Sequence, residues 1–219
     1  MRFCLSSLRA RAIAFAAPTL FALTPAPALA GAQVEEQLAR SVVAGLQHAI
    51  ADSPVPVDVA KPWLRSWIDE MSRRLMSRIP DARSRDDFVA TVYYEATRAG
   101  LDPQLVLGVI QYESNFRKYA ISSADARGYM QVMPFWTKLI GTPEHNLFNL
   151  RTNLRYGCVI LRFYLDTENG DLFRALGRYN GSLGRPEYPN AVLGTMNRNW
   201  VYTPPATGQS VLASPIAVR

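Results

Sequence analysis

Histidine and cysteine are scarce in this chain of 219 residues, with two of each. Cys4 falls in the first thirty residues, so Cys158 is the single thiol left to the rest, and no intrachain disulfide is open to it. His48 and His145 with one cysteine do not make a zinc site of spaced His and Cys ligands, and no metal or cofactor is expected. A Gly-rich phosphate loop is missing. No block rich in Lys and Arg stands out, which removes the usual footprint of a nucleic-acid binder. Period-two alternation of useful length is absent, as are internal repeats, so strands are not expected.

What is present begins with a leader. Residues 1–30 carry Arg2, Arg9 and Arg11, then an apolar run from Ala12 to Leu23, then "TPAPALA". A basic start, a short apolar middle and a small-residue exit predict a secretory signal cut between Ala30 and Gly31. The run is too short, and too broken by Pro18, Pro25 and Pro27, to span a bilayer. Loss of three arginines and no acids lowers the formal charge from +6 to +3, a mild basic bias that suits an anionic polymer of the envelope. Hydrophobic residues make up 48% of the chain, enough for a core.

The remainder reads as mainly α. Residues 34–53 are helical and moderately amphipathic, and "PVPVDVAKP" breaks that helix. Trp63, Trp67, Met71, Leu75 and Ile79 recur every fourth position and make one face of a second helix. That face is assigned to packing on the next domain in preference to a partner site. Ser84, with Asp87 three residues on, reads as a capping box opening a helix that ends at Gly100. Asp102-Pro103 starts the next, which closes at Glu113. A short helical stretch interrupted by Pro134, a strong helix over 152–166, a helix capped by Asp171 and a last one beginning near Pro189 complete the set. The tail from Tyr202 is rich in Pro, Ser and Ala. The domain reading is therefore a signal over 1–30, an N-terminal helical extension over 31–80, a helical domain over 81–200 and a tail over 201–219.

Glu113 is the residue that packing does not explain. It follows Val106, Val109 and Ile110 at spacings of seven, four and three, on the face that points into the core. Desolvation at the edge of a core raises a carboxyl pKa, and the negative end of the helix dipole adds to the effect. An acid that keeps its proton near neutral pH can donate it to a leaving oxygen. On helix geometry alone, a glutamate turned to water explains the position equally well.

Four pieces in order change that balance. "ESNF", "SSADARGYMQVMP", "NLRTNLRYGCVILRFYL" and "ALGRYNGS" with "YPNAVL" resemble the motifs of the goose-type-lysozyme-like catalytic domain of soluble lytic transglycosylases, over roughly residues 84–200. The resemblance implies a lysozyme-like helical catalytic domain with an N-terminal helical extension. By position it makes Glu113 the catalytic acid and base, and Ser122 the serine that contacts the reacting sugar. Met130 and Gln131 become the pair lining the groove, Tyr179 the tyrosine that orients the glutamate, and Asn180 the groove asparagine. Core packing beside Leu176 is the other account of Tyr179. Ser114, Asn115 and Phe116 are read as structural. Three departures stand out: Asp125 in place of the usual glycine, Tyr129 in place of leucine, and "YNGS" in place of Y-N-A-G.

The resemblance further implies cleavage of peptidoglycan glycan strands between N-acetylmuramic acid and N-acetylglucosamine, with a 1,6-anhydro end and no second carboxylate. A hydrolytic muramidase using Asp125 to activate water and a non-catalytic peptidoglycan-binding scaffold are the competing readings. The N-terminal helices are a candidate surface for an envelope machine. The expected location is the periplasm, and the mature protein recovered from an envelope fraction is expected to give Gly31 as its first residue on N-terminal sequencing; an intact Met1 would contradict the leader.

Overall fold

The computed structural model describes residues 33–51 and 61–203, and the segment read as a signal lies outside them. Eight helices occupy the described residues: α1 (Arg40–Ala51), α2 (Pro62–Leu75), α3 (Ala82–Arg98), α4 (Pro103–Ser114), α5 (Phe135–Ile140), α6 (Leu150–Thr167), α7 (Leu172–Tyr179) and α8 (Glu187–Asn199). Among these residues there is no strand, only isolated bridges pairing Ile121 with Arg127 and Arg127 with Val132. No described helix is long and apolar enough to cross a membrane.

The helices start where short polar side chains meet orphan backbone N–H groups. Asp81 accepts from Ser84 N at 2.7 Å, Asp102 from Gln104 N at 2.8 Å, Asn149 from Thr152 N at 3.1 Å and Asp171 from Arg174 N at 3.0 Å. The cap of α3 is thus Asp81, and Ser84 is the residue that receives it. The first helix begins at Arg40, six residues later than its composition suggests, because residues 33–39 run as irregular chain.

α4 lies at the centre, with Val106, Leu107, Val109 and Ile110 fully buried. α8 packs along it, α3 along its other flank, and α6 joins α3 to α7. Gly108 permits the α4–α8 approach, since a Cβ there would meet the Met196 Cβ at 3.0 Å. Between α3 and α6 a fully buried Glu95 carboxylate takes two hydrogen bonds from Arg155, each 3.0 Å. A buried pair of this kind holds because both oxygens are satisfied.

The N-terminal extension is fastened to the same core. Arg155 also donates to Ile50 O at 3.3 Å, and Arg98 donates to Ala49 O, so the end of α1 is tied to α3 and α6. Trp67, Met71 and Leu75 of α2 are buried with Phe88 and Val92 of α3 in one cluster. Cys158 is buried in α6, and burial pushes its thiol far above the ordinary range.

The loop between α4 and α5 is held by one amide. Asn153 of α6 accepts from Met130 N at 2.8 Å and donates to Arg127 O and Leu147 O, each at 2.8 Å. Gly128 sits against this amide at φ +75°, where a Cβ would fall 2.5 Å from both Asn153 Nδ2 and Leu147 O. Replacing Asn153 with Ala is expected to lower unfolding free energy by about 3 kcal/mol, since each stranded buried partner costs roughly 1–3 kcal/mol. Urea denaturation of the variant measures it.

Candidate active site

Glu113 occupies the last turn of α4, at the rim of its buried face and half-buried itself. Two residues later the chain turns out of the helix through consecutive left-handed conformations, Asn115 at φ +48° and Phe116 at φ +64°. Asn115 accepts from Arg78 Nε at 2.9 Å. The Phe116 ring packs edge-on against Phe88 and Trp200. Ser114 is buried, its hydroxyl 2.8 Å from Tyr129 O and 3.1 Å from Ile110 O. These three residues therefore fix the helix end behind the carboxylate.

The polar contact on Glu113 comes from α8. The Tyr188 hydroxyl donates to Oε1 at 2.5 Å, and the Tyr188 ring stands edge-on to Tyr112 at 5.0 Å. Burial raises the Glu113 pKa to about 8, the largest effect, while the Tyr188 hydrogen bond pulls it down. The carboxyl is thus mostly protonated at neutral pH and carries a proton that it can give up, as a general acid must.

The other residues singled out from sequence fall around this group in different roles. Tyr179 is fully buried at the end of α7, close enough for the Glu113 charge to oppose its ionisation, but its hydroxyl donates to Met130 O at 2.7 Å. The hydroxyl on the glutamate is that of Tyr188, not Tyr179, because α8 is the helix laid beside the end of α4. Met130 buries its side chain completely against Gly157 and offers its backbone to Tyr179 and Asn153. Gln131, at φ +49° and 4% exposed, donates to Ala120 O and Gly128 O at 3.2 and 2.9 Å. Asn180 is buried where α7 ends.

Ser122 accepts from Ala124 N at 3.2 Å and Ala126 N at 3.1 Å, closing the tight turn that carries Asp125. The hydrogen of its hydroxyl is not used by these contacts. Asp125 stands at φ +67°, a conformation that aspartate tolerates better than most residues. Its exposed carboxylate is held by Arg127 at 2.9 and 3.1 Å. Tyr129 turns its ring into the core against Phe88 at 5.0 Å.

Two participants escaped the sequence reading. Tyr188 lies in "PEYPN", where no periodicity distinguishes a hydroxyl aimed at a carboxylate from a core tyrosine. Gln33 inserts its amide beside Gln131 and Met133 from a hundred residues away, and nothing local to it announces that contact. Among the described residues no group of three or more His, Cys, Asp or Glu is placed to hold a metal ion.

Residues 91–191 match the family described as transglycosylase SLT domain. A transglycosylase of Enterobacteria phage PRD1 is 32% identical over 114 residues, which are 49% of this chain and 42% of that protein. Membrane-bound lytic murein transglycosylase C of Histophilus somni is 38% identical over 105 residues, 41% of this chain and 29% of that one. The chain thus spans less than half the length of either relative. Among solved structures, an inactive mutant of lytic transglycosylase Slt from Pseudomonas aeruginosa aligns over 56% of this chain and 22% of its own, at 25% identity and a TM-score of 0.42.

The raised pKa has a sign that stability experiments read. Between the ordinary glutamate value of 4.5 and about 8 the folded state keeps a proton that the unfolded state has released, so the contribution of Glu113 to stability falls as pH rises through that window. Glu113→Gln, which cannot ionise, is expected to be more stable than the parent at pH 7 by on the order of 1 kcal/mol after discounting for partial exposure, and about equal to it near pH 4. Paired thermal melts across that range check the sign. Tyr188→Phe removes the group that lowers the Glu113 pKa, and is expected to move its carboxyl titration, followed by carbon NMR, to higher pH.

Proposed function

We propose, from the match of residues 91–191 to the transglycosylase SLT domain and from the geometry around Glu113, that the chain is a lytic transglycosylase of peptidoglycan. The observation that carries the reading is the half-buried Glu113, with its pKa near 8 and a single hydroxyl on Oε1. Glu113 protonates the oxygen linking C1 of N-acetylmuramic acid to C4 of N-acetylglucosamine, and the C1–O bond breaks. The 2-acetamido oxygen of the muramic unit stabilises the cation that develops. Glu113, now a carboxylate, takes the proton of the same sugar's C6 hydroxyl. That oxygen closes on C1, giving a 1,6-anhydro ring and restoring the protonated acid. The hydroxyl belongs to the molecule already bound, so its high effective concentration stands in for an external nucleophile.

Ser122 contacts the reacting sugar with its free hydroxyl hydrogen, and Gln131 and Asn180 belong to the groove wall. Met130 and Tyr179 act through the backbone they hold. Asp125 supports a one-acid reaction because a positive φ and the Arg127 pair account for it. The enzyme works in the periplasm after export by the 1–30 leader, on glycan strands. The exposed faces of α1 and α2 are the place where an envelope machine would engage it. Neither cofactor nor metal enters these steps.

Glu113→Gln is expected to cut turnover of purified peptidoglycan by roughly a hundred- to ten-thousand-fold while the protein stays folded. Wild-type turnover in that variant would remove Glu113 from the mechanism. Mass analysis of products made in heavy-oxygen water is expected to give anhydro ends without label, and Asp125→Asn to keep most of the activity. A dead Asp125→Asn with labelled reducing ends would make the protein a hydrolase.

A further inference from the structure

Residues 33–39 precede α1 without regular structure, and most of them are exposed. One side chain is the exception. Gln33 is 4% exposed, and its amide lies against the Gln131–Met133 backbone. Its Oε1 accepts from Met133 N at 2.9 Å, and its Nε2 donates to Gln131 O at 3.1 Å. The same amide lies beside the Tyr179 hydroxyl, which is near enough to Glu113 to feel its charge. Glu36, three residues on, is tied to Arg178 at 2.9 Å, one position before Tyr179. An irregular surface segment is therefore anchored to the site by one amide and one ion pair.

The backbone groups that Gln33 covers are a single N–H donor and a single carbonyl acceptor. Everything else in that stretch is held from within the helical domain: Met130 by Asn153 and Tyr179, Gln131 N by Gly128, and Val132 by two bonds to Arg127. Lifting residues 33–39 would leave this loop pinned and expose only the Met133 N–H and the Gln131 carbonyl. A glycan bearing 2-acetamido groups, the substrate class of the proposed function on which this step rests, carries the matching chemistry. An acetamido carbonyl accepts from an N–H, and an adjacent amide N–H or ring hydroxyl donates to a carbonyl. We propose that Met133 N–H and Gln131 O form a subsite for an N-acetylated sugar, and that Gln33 fills it in the resting protein as a displaceable carboxamide stand-in. The segment lies ahead of residues 91–191, the stretch that matches the family.

A ligand competing with its own protein binds more weakly by the fraction of molecules whose site is open. Two neutral hydrogen bonds at a net value of about 1 kcal/mol each make that penalty roughly thirtyfold. The test uses the full mature chain carrying Glu113→Gln, so that no turnover interferes, with tri-N-acetylchitotriose as probe and its fully N-deacetylated trimer as control. Calorimetry is expected to show the acetylated trimer binding roughly thirtyfold more tightly when Gln33→Ala is added, with the control unmoved. Glu36→Gln, which frees the tether and leaves Gln33 in place, is expected to give a smaller gain of the same sign and serves if Gln33→Ala does not fold. Unchanged or weaker binding of the acetylated trimer in a folded variant overturns the proposal, as does an equal gain for the deacetylated control. A tighter acetylated trimer together with no anhydro product from the parent protein would keep the subsite and discard the transglycosylase reading.

Discussion

α8 lies along α4, and the distance between those two helices governs what Glu113 can do. Gly108 lets the backbone of α4 come up to Met196, and at that separation the first turn of α8 brings Tyr188 over the last turn of α4. Water is then scarce around the carboxyl, and one hydroxyl takes part of its place. The balance of those two effects leaves the acid with its proton near neutral pH. A bulkier residue at 108 would act on the chemistry without touching it, by lifting Tyr188 and letting water in.

The second support is the chain from Ala120 to Met133, which carries several of the site residues on irregular backbone. Two of its members, Asp125 and Gln131, hold left-handed conformations that non-glycine residues adopt at a cost, and such conformations persist only where the surroundings over-determine them. Asn153 supplies much of that determination from the middle of α6, reaching three separate carbonyl and amide groups. The buried Glu95–Arg155 pair orients the same helix against α3. Helix packing thus places the acid, while a handful of side-chain amides place the loop opposite.

The helical architecture was legible in the sequence because its signals are local. Asp102, Asp171 and Gly100 announced helix limits, and the stripe of Val106, Val109 and Ile110 announced the face on which Glu113 lies. Asp81 was passed over because Ser84 and Asp87 offered an equally good box three residues later. The start of α1 was misjudged because residues 34–39 carry helix-forming composition yet follow an anchored Gln33. The partners within the site were less legible. Both Tyr179 and Tyr188 are buried tyrosines, and which hydroxyl reaches the carboxylate depends on how their helices pack against α4 rather than on any local pattern. The position of Asp125 was readable in part, since an aspartate standing for glycine already suggested a backbone angle.

Cys158 sits on the buried face of α6 with its thiol pushed far from ionising. Thiolate is the form that attacks disulfides and takes up oxidants, so this buried thiol is inert toward an oxidising environment. Unfolding exposes it, and it can then join to another thiol. Packing α6 therefore withdraws this thiol from exchange and exposing α6 returns it, so its reactivity reports whether that helix is seated in the core.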